Sequence, residues 1–403
     1  MNIAVSQSRA PEQVAPAGAF CAPQIARIEL FETMAAAEPF WRRLENGTAL
    51  ATAYQRFDLL AAWQQHVGSR SHVTPAIVVA FGQDGEPLFL WPFGHMRKGP
   101  VTLMGFLGSK HSNFNLGLWR RDILPSIGEE TIQSILHRFE HQVDVVALCN
   151  QPLSWDGAGN PFALLPHQPS ADISACLSLP PAAAQPIKCV LSGSMRSRLR
   201  NKERKLQRLP GYRYIQAATA AEIDRLFDGF LALKRDHMAT QGLRNVFAEP
   251  GVADFLRAAC HCKLPNGRPL IEIHALETAS EVLALFGTLI DSYRCSSMFN
   301  TYTSGENARQ SPGLILIGYI INECGARGVQ SFDIGVGRAH YKSLFCREPE
   351  PLFDTFIGLT ARGRLAAATY AAAFSGKRVI KHSRLLWGAV QLWRRARTYT
   401  LMA

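Results

Sequence analysis

The chain contains no run of about eighteen uncharged apolar residues, the minimum for a helix that crosses a bilayer. Its first twenty residues, MNIAVSQSRAPEQVAPAGAF, lack the basic flank and apolar centre of a secretory signal. Charge is scarce: only 19% of the 403 residues are charged and 47% are hydrophobic. That balance argues against disorder and suffices for one large or two ordinary cores. The nine cysteines are scattered, odd in number and without a spaced four-ligand set, which argues against a disulfide scaffold and a structural metal site. Cys260-His261-Cys262 is the one close cluster and reads as a helix end with buried thiols. Neither the Gly, Lys and Ser spacing of a Walker loop nor a glycine-rich dinucleotide fingerprint occurs. A soluble, cytoplasmic, metal-free protein is expected.

What charge there is sits in two places. RSRLRNKERKLQR, residues 196–208, holds seven basic residues against Glu203, and the chain after Asp354 holds nine Lys or Arg and no acid. Together they contribute +15 against +11 for the whole chain, which leaves the remainder near −4. Local basicity of this kind points to an anionic partner, such as a phosphorylated carrier, RNA or a lipid surface, or to a solvated helix face.

The order of elements repeats in two halves. After a Pro/Ala-rich leader to residue 24, a helical stretch from Phe40 to Val67 leads into the β-rich PAIVVAFGQDGEPLFLWPFGHMR, where Asp84-Gly85 signals a hairpin. SIGEETIQSILHRFEHQ opens with a Ser126/Glu129 capping box and places Ile132, Ile135, Leu136 and Phe139 on one face ahead of the strand DVVALC. LPPAAAQP, Leu179 to Pro186, is the best linker. Beyond it, Thr219 and Glu222 cap a helix with Ile223, Leu226, Phe227, Phe230 and Leu233 on its apolar face, and another helix is expected from Pro250. Three strand-like runs (PLIEIHAL, EVLALFGTLIDS, YRCSSMFNTYT) form an expected antiparallel meander. A helix started by Pro312 and ended near Gly325 and Gly328 then feeds the short strand SFDI. The domains expected are 1–24 as a mobile leader, 25–180, 181–360, and 361–403 as basic amphipathic helices.

A helix that starts directly after a strand presents unsatisfied N–H groups and the positive end of its dipole, a natural seat for phosphate. Here that start carries Arg309, Gln310, Ser311, Pro312 and Gly313. The basic helix from Met195 to Leu209 has Met195, Leu199, Leu206 and Leu209 on one side and Arg196, Arg200 and Arg204 as a charged ladder. It has no interleaved aromatics to stack nucleic-acid bases, and DNA is not an expected partner.

Several stretches together, SMRSRLRNKERKL, HMATQG followed by Phe247, SPGLILIGYIINECGARG, FDIGVGRAHYKSLF, LWPFGHMR and LGSKHSNFNL, resemble the GNAT acyltransferases. More narrowly they resemble the CelD-type acetyltransferases associated with bacterial cellulose and exopolysaccharide synthesis, which are related to the two-domain FemAB transferases. ARQSPG departs from the glycine-patterned pyrophosphate loop of ordinary GNAT enzymes, and HSNFN has Asn113 where an aspartate is expected. The resemblance implies an α/β (α+β) fold of tandem GNAT-like domains, each a mixed, mostly antiparallel sheet flanked by helices. It also implies acetyl-CoA or another acyl-CoA as co-substrate, held at Arg309 to Gly313, with a small-molecule or saccharide acceptor.

Under that resemblance Asp333 is orienter or base, Tyr341 the acid, and Lys342 the contact to an anionic group, with Gly335 and Gly337 turning the backbone towards the cleft. His237 becomes a substrate-facing residue. His111 and Asn113, in a polar loop between apolar runs, line an acceptor cleft. The residues themselves allow a second reading, in which Asp333 accepts hydrogen bonds from the following turn, Tyr341 packs with its hydroxyl satisfied and Lys342 is solvated. The tail SGKRVIKHSRLLWGAVQLWRRAR has the Trp and Arg composition of a helix at the inner face of a membrane or of a core-packed terminal helix. Three functions stay open: an acyl-CoA-dependent acyltransferase, a FemAB-like transferase using aminoacyl-tRNA, and a non-catalytic adaptor of a polysaccharide synthase.

Overall fold

The computed structural model describes residues 24–180, 185–337, 340–346, 349–383, 386 and 388. The expected leader up to residue 23, and nearly all of the tail beyond residue 383, lie outside them.

The first half contains β1 (Arg27–Phe31), α1 (Met34–Glu45), α2 (Phe57–Trp63), β2 (Thr74–Phe81), β3 (Pro87–Lys98), β4 (Val101–Phe106) and β5 (Leu118–Trp119). It continues with α3 (Glu129–His137), β6 (Val145–Pro152), the small hairpin β7 (Ser154–Trp155) and β8 (Ala158–Gly159), and β9 (Gln168–Ser178). The second half has α4 (Ile187–Val190), α5 (Gly193–Leu206), β10 (Arg213–Gln216), α6 (Ala220–Thr240), α7 (Val252–His261), β11 (Glu272–Glu277), β12 (Val282–Ile290) and β13 (Arg294–Tyr302). It closes with α8 (Pro312–Ala326), β14 (Ser331–Val336), β15 (Glu350–Gly358) and α9 (Ala361–His382).

The expected helix from 40 to 67 is divided. Asn46 caps α1 at its C-terminus, and Thr52 accepts from the Tyr54 amide to start a separate 3-10 turn ahead of α2. Nor does Ser126 cap α3: its hydroxyl bonds the Ile123 carbonyl, and the helix begins after Gly128 with Glu129 and Glu130 in its first turn. Those two carboxylates favour the positive helix end without a side-chain cap. The Thr219–Glu222 capping box is present with both reciprocal bonds. α7 starts at Val252, behind Gly251 at φ 80°. A Cβ on Gly251 would stand 1.9 Å from the His66 carbonyl oxygen, so this approach requires glycine.

The hairpin at Asp84-Gly85 and the meander β11–β12–β13 form with antiparallel register, and β13 pairs in parallel with β14. Among the described residues the main sheet runs β1-β2-β3-β4-β6-β15-β9-β14-β13-β12-β11-β10, with β5 on β3. Residues 181–360 do not close a sheet of their own. β15 lies between β6 and β9, both from the first half, and β9 in turn carries β14. The larger core follows the same continuity, uniting Trp41 and Trp91 with Phe227, Phe230 and Phe299, while a second core packs α5 and α8 against β14.

Asp144, just before β6, fastens α9 to this sheet. Its carboxylate is 2% exposed and accepts from the Thr102 amide (2.9 Å), the Thr360 hydroxyl (2.7 Å) and Arg362 Nε (2.6 Å). The Arg362 and Thr360 hydrogen bonds hold its pKa at about 2. The folded value lies below the ordinary carboxylate value near 4. The stabilisation is therefore present above about pH 4 and is lost as pH falls towards 2. Asp144→Ala is expected to lower the unfolding free energy at pH 7 by about 2 kcal/mol through loss of these hydrogen bonds, with the deficit vanishing near pH 2 in urea titrations.

Candidate active site

β13 and β14 pair for three residues only, Arg294 with Ser331, Cys295 with Phe332 and Ser296 with Asp333. β14 then stays with β9, where Val336 faces Ser174, so the two strands part. Gly335 (φ 96°) and Gly337 (φ 94°) supply the left-handed backbone that turns the chain away, as the sequence implied. A cavity of about 270 Å³ opens here, bounded by Asn300 and Tyr302 at the end of β13, Ser311, Pro312 and Gly313 at the start of α8, and Tyr341. The sequence-derived helix start and Tyr341 thus share one wall.

The start of α8 is supplied with positive charge. Ser311 stands at the N-cap in the left-handed region (φ 55°), and Lys202 of α5 donates to its hydroxyl (2.7 Å) and to the Arg309 carbonyl (2.9 Å). Arg309 itself is exposed and Gln310 half-buried. α5 docks through Leu199 and Leu206, as its apolar spacing predicts, and lies against this loop. A helix dipole, an ammonium and a nearby guanidinium are a fitting donor set for a diphosphate.

Asp333 takes a different position from the one expected of a base. It is fully buried and lines none of the cavities described here. Its Oδ1 accepts from Ser174 Oγ (2.7 Å) and the Gly335 amide (2.7 Å), and burial raises its pKa. Lys342, expected to contact an anionic group, is a 9% exposed residue whose ammonium donates to the carbonyls of Gly335 (2.7 Å) and Val336 (3.0 Å). The two residues build the turn, because a carboxylate accepts its amide and an ammonium covers its carbonyls.

Tyr341 remains on the cavity. Burial, followed by Tyr302 and Asp333, pushes its phenol up to about 12, so it stays protonated at neutral pH. His237, near the C-terminus of α6, stacks edge-on against Tyr302 (5.0 Å) and pairs with Gln241 (2.9 Å). Burial and the neighbouring Lys234 lower its pKa. Lys234, one turn earlier, escaped the sequence reading. Its ammonium donates to the Asn300 carbonyl (3.0 Å), and burial together with the Lys342 charge lowers its pKa to about 8. Its three-residue spacing from His237 on an amphipathic helix was the available signal.

His111 and Asn113 lie elsewhere. Asn113 donates to the Tyr54 hydroxyl (2.7 Å) and to the Ser297 carbonyl (2.8 Å), one residue past the last β13–β14 pair. His111 lines a separate cavity and accepts at Nδ1 from Trp63 Nε1 (3.0 Å). Met298 follows in a bulge: Thr288 faces Ser297 while Gly287 faces Phe299, leaving Met298 as the extra residue at the parting of the strands. Among the described residues no three His, Cys, Asp or Glu gather as metal ligands, and no helix is long and apolar enough to cross a membrane.

Residues 193–343 match the family model described as "Acetyltransferase (GNAT) domain". The fold is similar across most of the chain to three solved structures. The C-terminal domain of a putative lysylphosphatidylglycerol synthetase from Agrobacterium fabrum aligns at TM-score 0.50 and 12% identity, covering 85% of this chain and 97% of that one. FemX aligns at TM-score 0.52 and 8% identity, covering 79% and 96%. A conserved protein of unknown function from Bacteroides thetaiotaomicron aligns at TM-score 0.53 and 10% identity, covering 81% and 99%. Identities this low establish the fold alone. A search among curated protein sequences matched none.

Because Asp333 organises the turn, Asp333→Ala is expected to lower the unfolding free energy by about 2 to 3 kcal/mol, the cost of orphaning Ser174 Oγ and the Gly335 amide. Chemical denaturation measures it. Unchanged stability would return Asp333 to the chemistry.

Proposed function

We propose that the chain transfers an acyl group from an acyl-CoA thioester to an amine or hydroxyl acceptor in the opening between β13 and β14. The observation that carries this reading is the shared wall: Tyr341, protonated at neutral pH, faces the cavity that begins at Ser311, Pro312 and Gly313. The carrier's diphosphate would rest on the start of α8 and Lys202, with its thioester arm running along Asn300 and Tyr302. Attack by the acceptor forms the new acyl bond and breaks the carbon–sulfur bond. Tyr341 then donates to the departing sulfur, and Lys234, near-neutral in pKa, takes the acceptor's proton. A role on saccharides, implied by the resemblance to CelD-type proteins, belongs to this same proposal.

A second reading, an aminoacyl-tRNA donor, is favoured by one observation. α5 lies beside the start of α8 with Arg198, Arg200, Arg204 and Lys205 exposed. Salt-sensitive tRNA binding without release of thiol from acyl-CoA would select it. A purely adaptor role would leave the cellular phenotype intact in Tyr341→Phe.

With acetyl-CoA and a thiol reagent, Tyr341→Phe is expected to lower kcat about 100-fold with KM little changed. Lys202→Met is expected to raise KM for acetyl-CoA about tenfold, the loss of one charge-assisted contact. The rate should climb as pH rises through about 8, where Lys234 loses its proton, and Lys234→Met should remove that limb. Full kcat in Tyr341→Phe would contradict the reading.

A further inference from the structure

α9 is held to the sheet through one face. Phe356 of β15 meets Phe374 edge-on (5.1 Å) and stacks with Tyr370 (6.4 Å), Gln168 of β9 donates to the Ala371 carbonyl (3.1 Å), and Asp172 accepts from Lys381. With the Asp144 anchor at the helix start, these contacts fix which side of α9 turns outward. That side is apolar. Leu365 (74% exposed), Ala368, Ala372, Gly376 and Val379 (61% exposed) are all exposed and recur every third or fourth residue. Such spacing keeps them in one stripe, about 21 Å long at 1.5 Å per residue. Ile380 and, just past the helix, Leu386 are exposed as well, so α9 and its end hold four of the nine large hydrophobic residues exposed among the described residues. A concentration of this kind marks an interaction surface.

No carboxylate interrupts the stripe, because the chain after Asp354 contains nine Lys or Arg and no acid. The cations border it instead. At 3.6 residues per turn, Arg364 and Arg378 fall to one side of Leu365, and Tyr370 and Lys377 to the other. Both arginines are exposed and have no ion-pair partner among the described residues. On the opposite flank Lys377 is half exposed, 3.7 Å from Asp172, and the Lys98 ammonium at the end of β3 lies 5.6 Å from the Tyr370 ring.

An apolar stripe bordered by cations fits few occupants. A second copy of the chain, joined through the same face, would set Arg364 and Arg378 against their own equivalents. Residues 384–403, with four Arg and no acid, would do the same if folded back over it. Protein partners are held best through aromatic anchors, and the stripe has none. A bilayer with anionic headgroups meets every feature. It is flat over the length of the helix, takes Leu, Val and Ile into the acyl boundary, and draws cations whose apolar stems reach its phosphates from the flanks. We propose that the outer face of α9 docks the protein on an anionic lipid bilayer, with Leu365, Val379 and Ile380 entering the boundary and Arg364 and Arg378 meeting the headgroups. For the part of the tail that lies in α9, the two readings of the sequence then hold together: one face packs on the core and the opposite face meets lipid.

This inference does not rest on the transfer reading. The full chain is expected to sediment with vesicles of phosphatidylcholine containing about one third phosphatidylglycerol, and far less with phosphatidylcholine alone. Leu365→Glu combined with Val379→Glu should lower the partition about tenfold or more in a protein whose melting curve is retained. Arg364→Gln and Arg378→Gln should each lower it about fivefold. Arg200→Glu on α5, a basic surface elsewhere, should leave it within about twofold. Absence of binding to the anionic vesicles overturns the inference, as does binding that the paired glutamates leave unchanged or that Arg200→Glu abolishes. Two further outcomes overturn it by naming another occupant. Dimerisation in sedimentation velocity that the paired glutamates abolish assigns the face to a second copy, and a melting temperature that they lower steeply assigns it to the chain's own tail. Thiol release from acetyl-CoA without vesicles should survive the paired glutamates, so this proposal and the transfer reading fail separately.

Discussion

The site depends on one carboxylate that keeps β14 on β9 and away from β13. Asp333 accepts from Ser174 of β9 and from the Gly335 amide, so the end of β14 is drawn to one side after only three pairs with β13. Parting two strands leaves main-chain groups to be satisfied, and the first half of the chain supplies the partners. Tyr54 and Asn113 both donate to the Ser297 carbonyl, next beyond the last pair. The opening is thus held from both sides by side chains far away in sequence.

Charge follows the same division between frame and site. Behind the opening, Arg294 is 4% exposed, donates to Glu350 at 2.7 Å and lies 4.1 Å from the Trp155 ring, and Lys342 sits close to Asp333. Buried charges persist only when compensated, and each of these has its partner. Around the cavity the shifts run in opposite senses, Tyr341 on its wall upward and Lys234, bonded to the carbonyl of the lining residue Asn300, downward. A phenol that keeps its proton and an amine that sheds one more readily than usual are a donor and an acceptor at the same pH.

Much of the second half was legible because its signals are local. Alternating apolar runs with short polar breaks gave the β11–β13 meander, Thr219 with Glu222 gave the start of α6, and Pro312 gave the start of α8. The insertion of β15 between β6 and β9 was not legible, since pairing across some two hundred residues leaves no local mark. Asp333 and Lys342 misled for a related reason. A polar residue beside a glycine turn looks the same in sequence whether it faces a cleft or satisfies the turn from within, and here both satisfy the turn. Lys202 was submerged in a run of seven basic residues, although it alone of them is bonded to Ser311. Lys234 went unread: its spacing from His237 on α6 was the one local signal, and its bond to the Asn300 carbonyl leaves no mark in the sequence.

Hydrogen exchange read by mass spectrometry, with and without acetyl-CoA, tests the central claim most directly. The start of α8 and the 341–346 segment should slow together on addition of the thioester, because one molecule lies against both. Protection of neither, or protection restricted to the exposed face of α5, would contradict a carrier seated between β13, β14 and the first turn of α8.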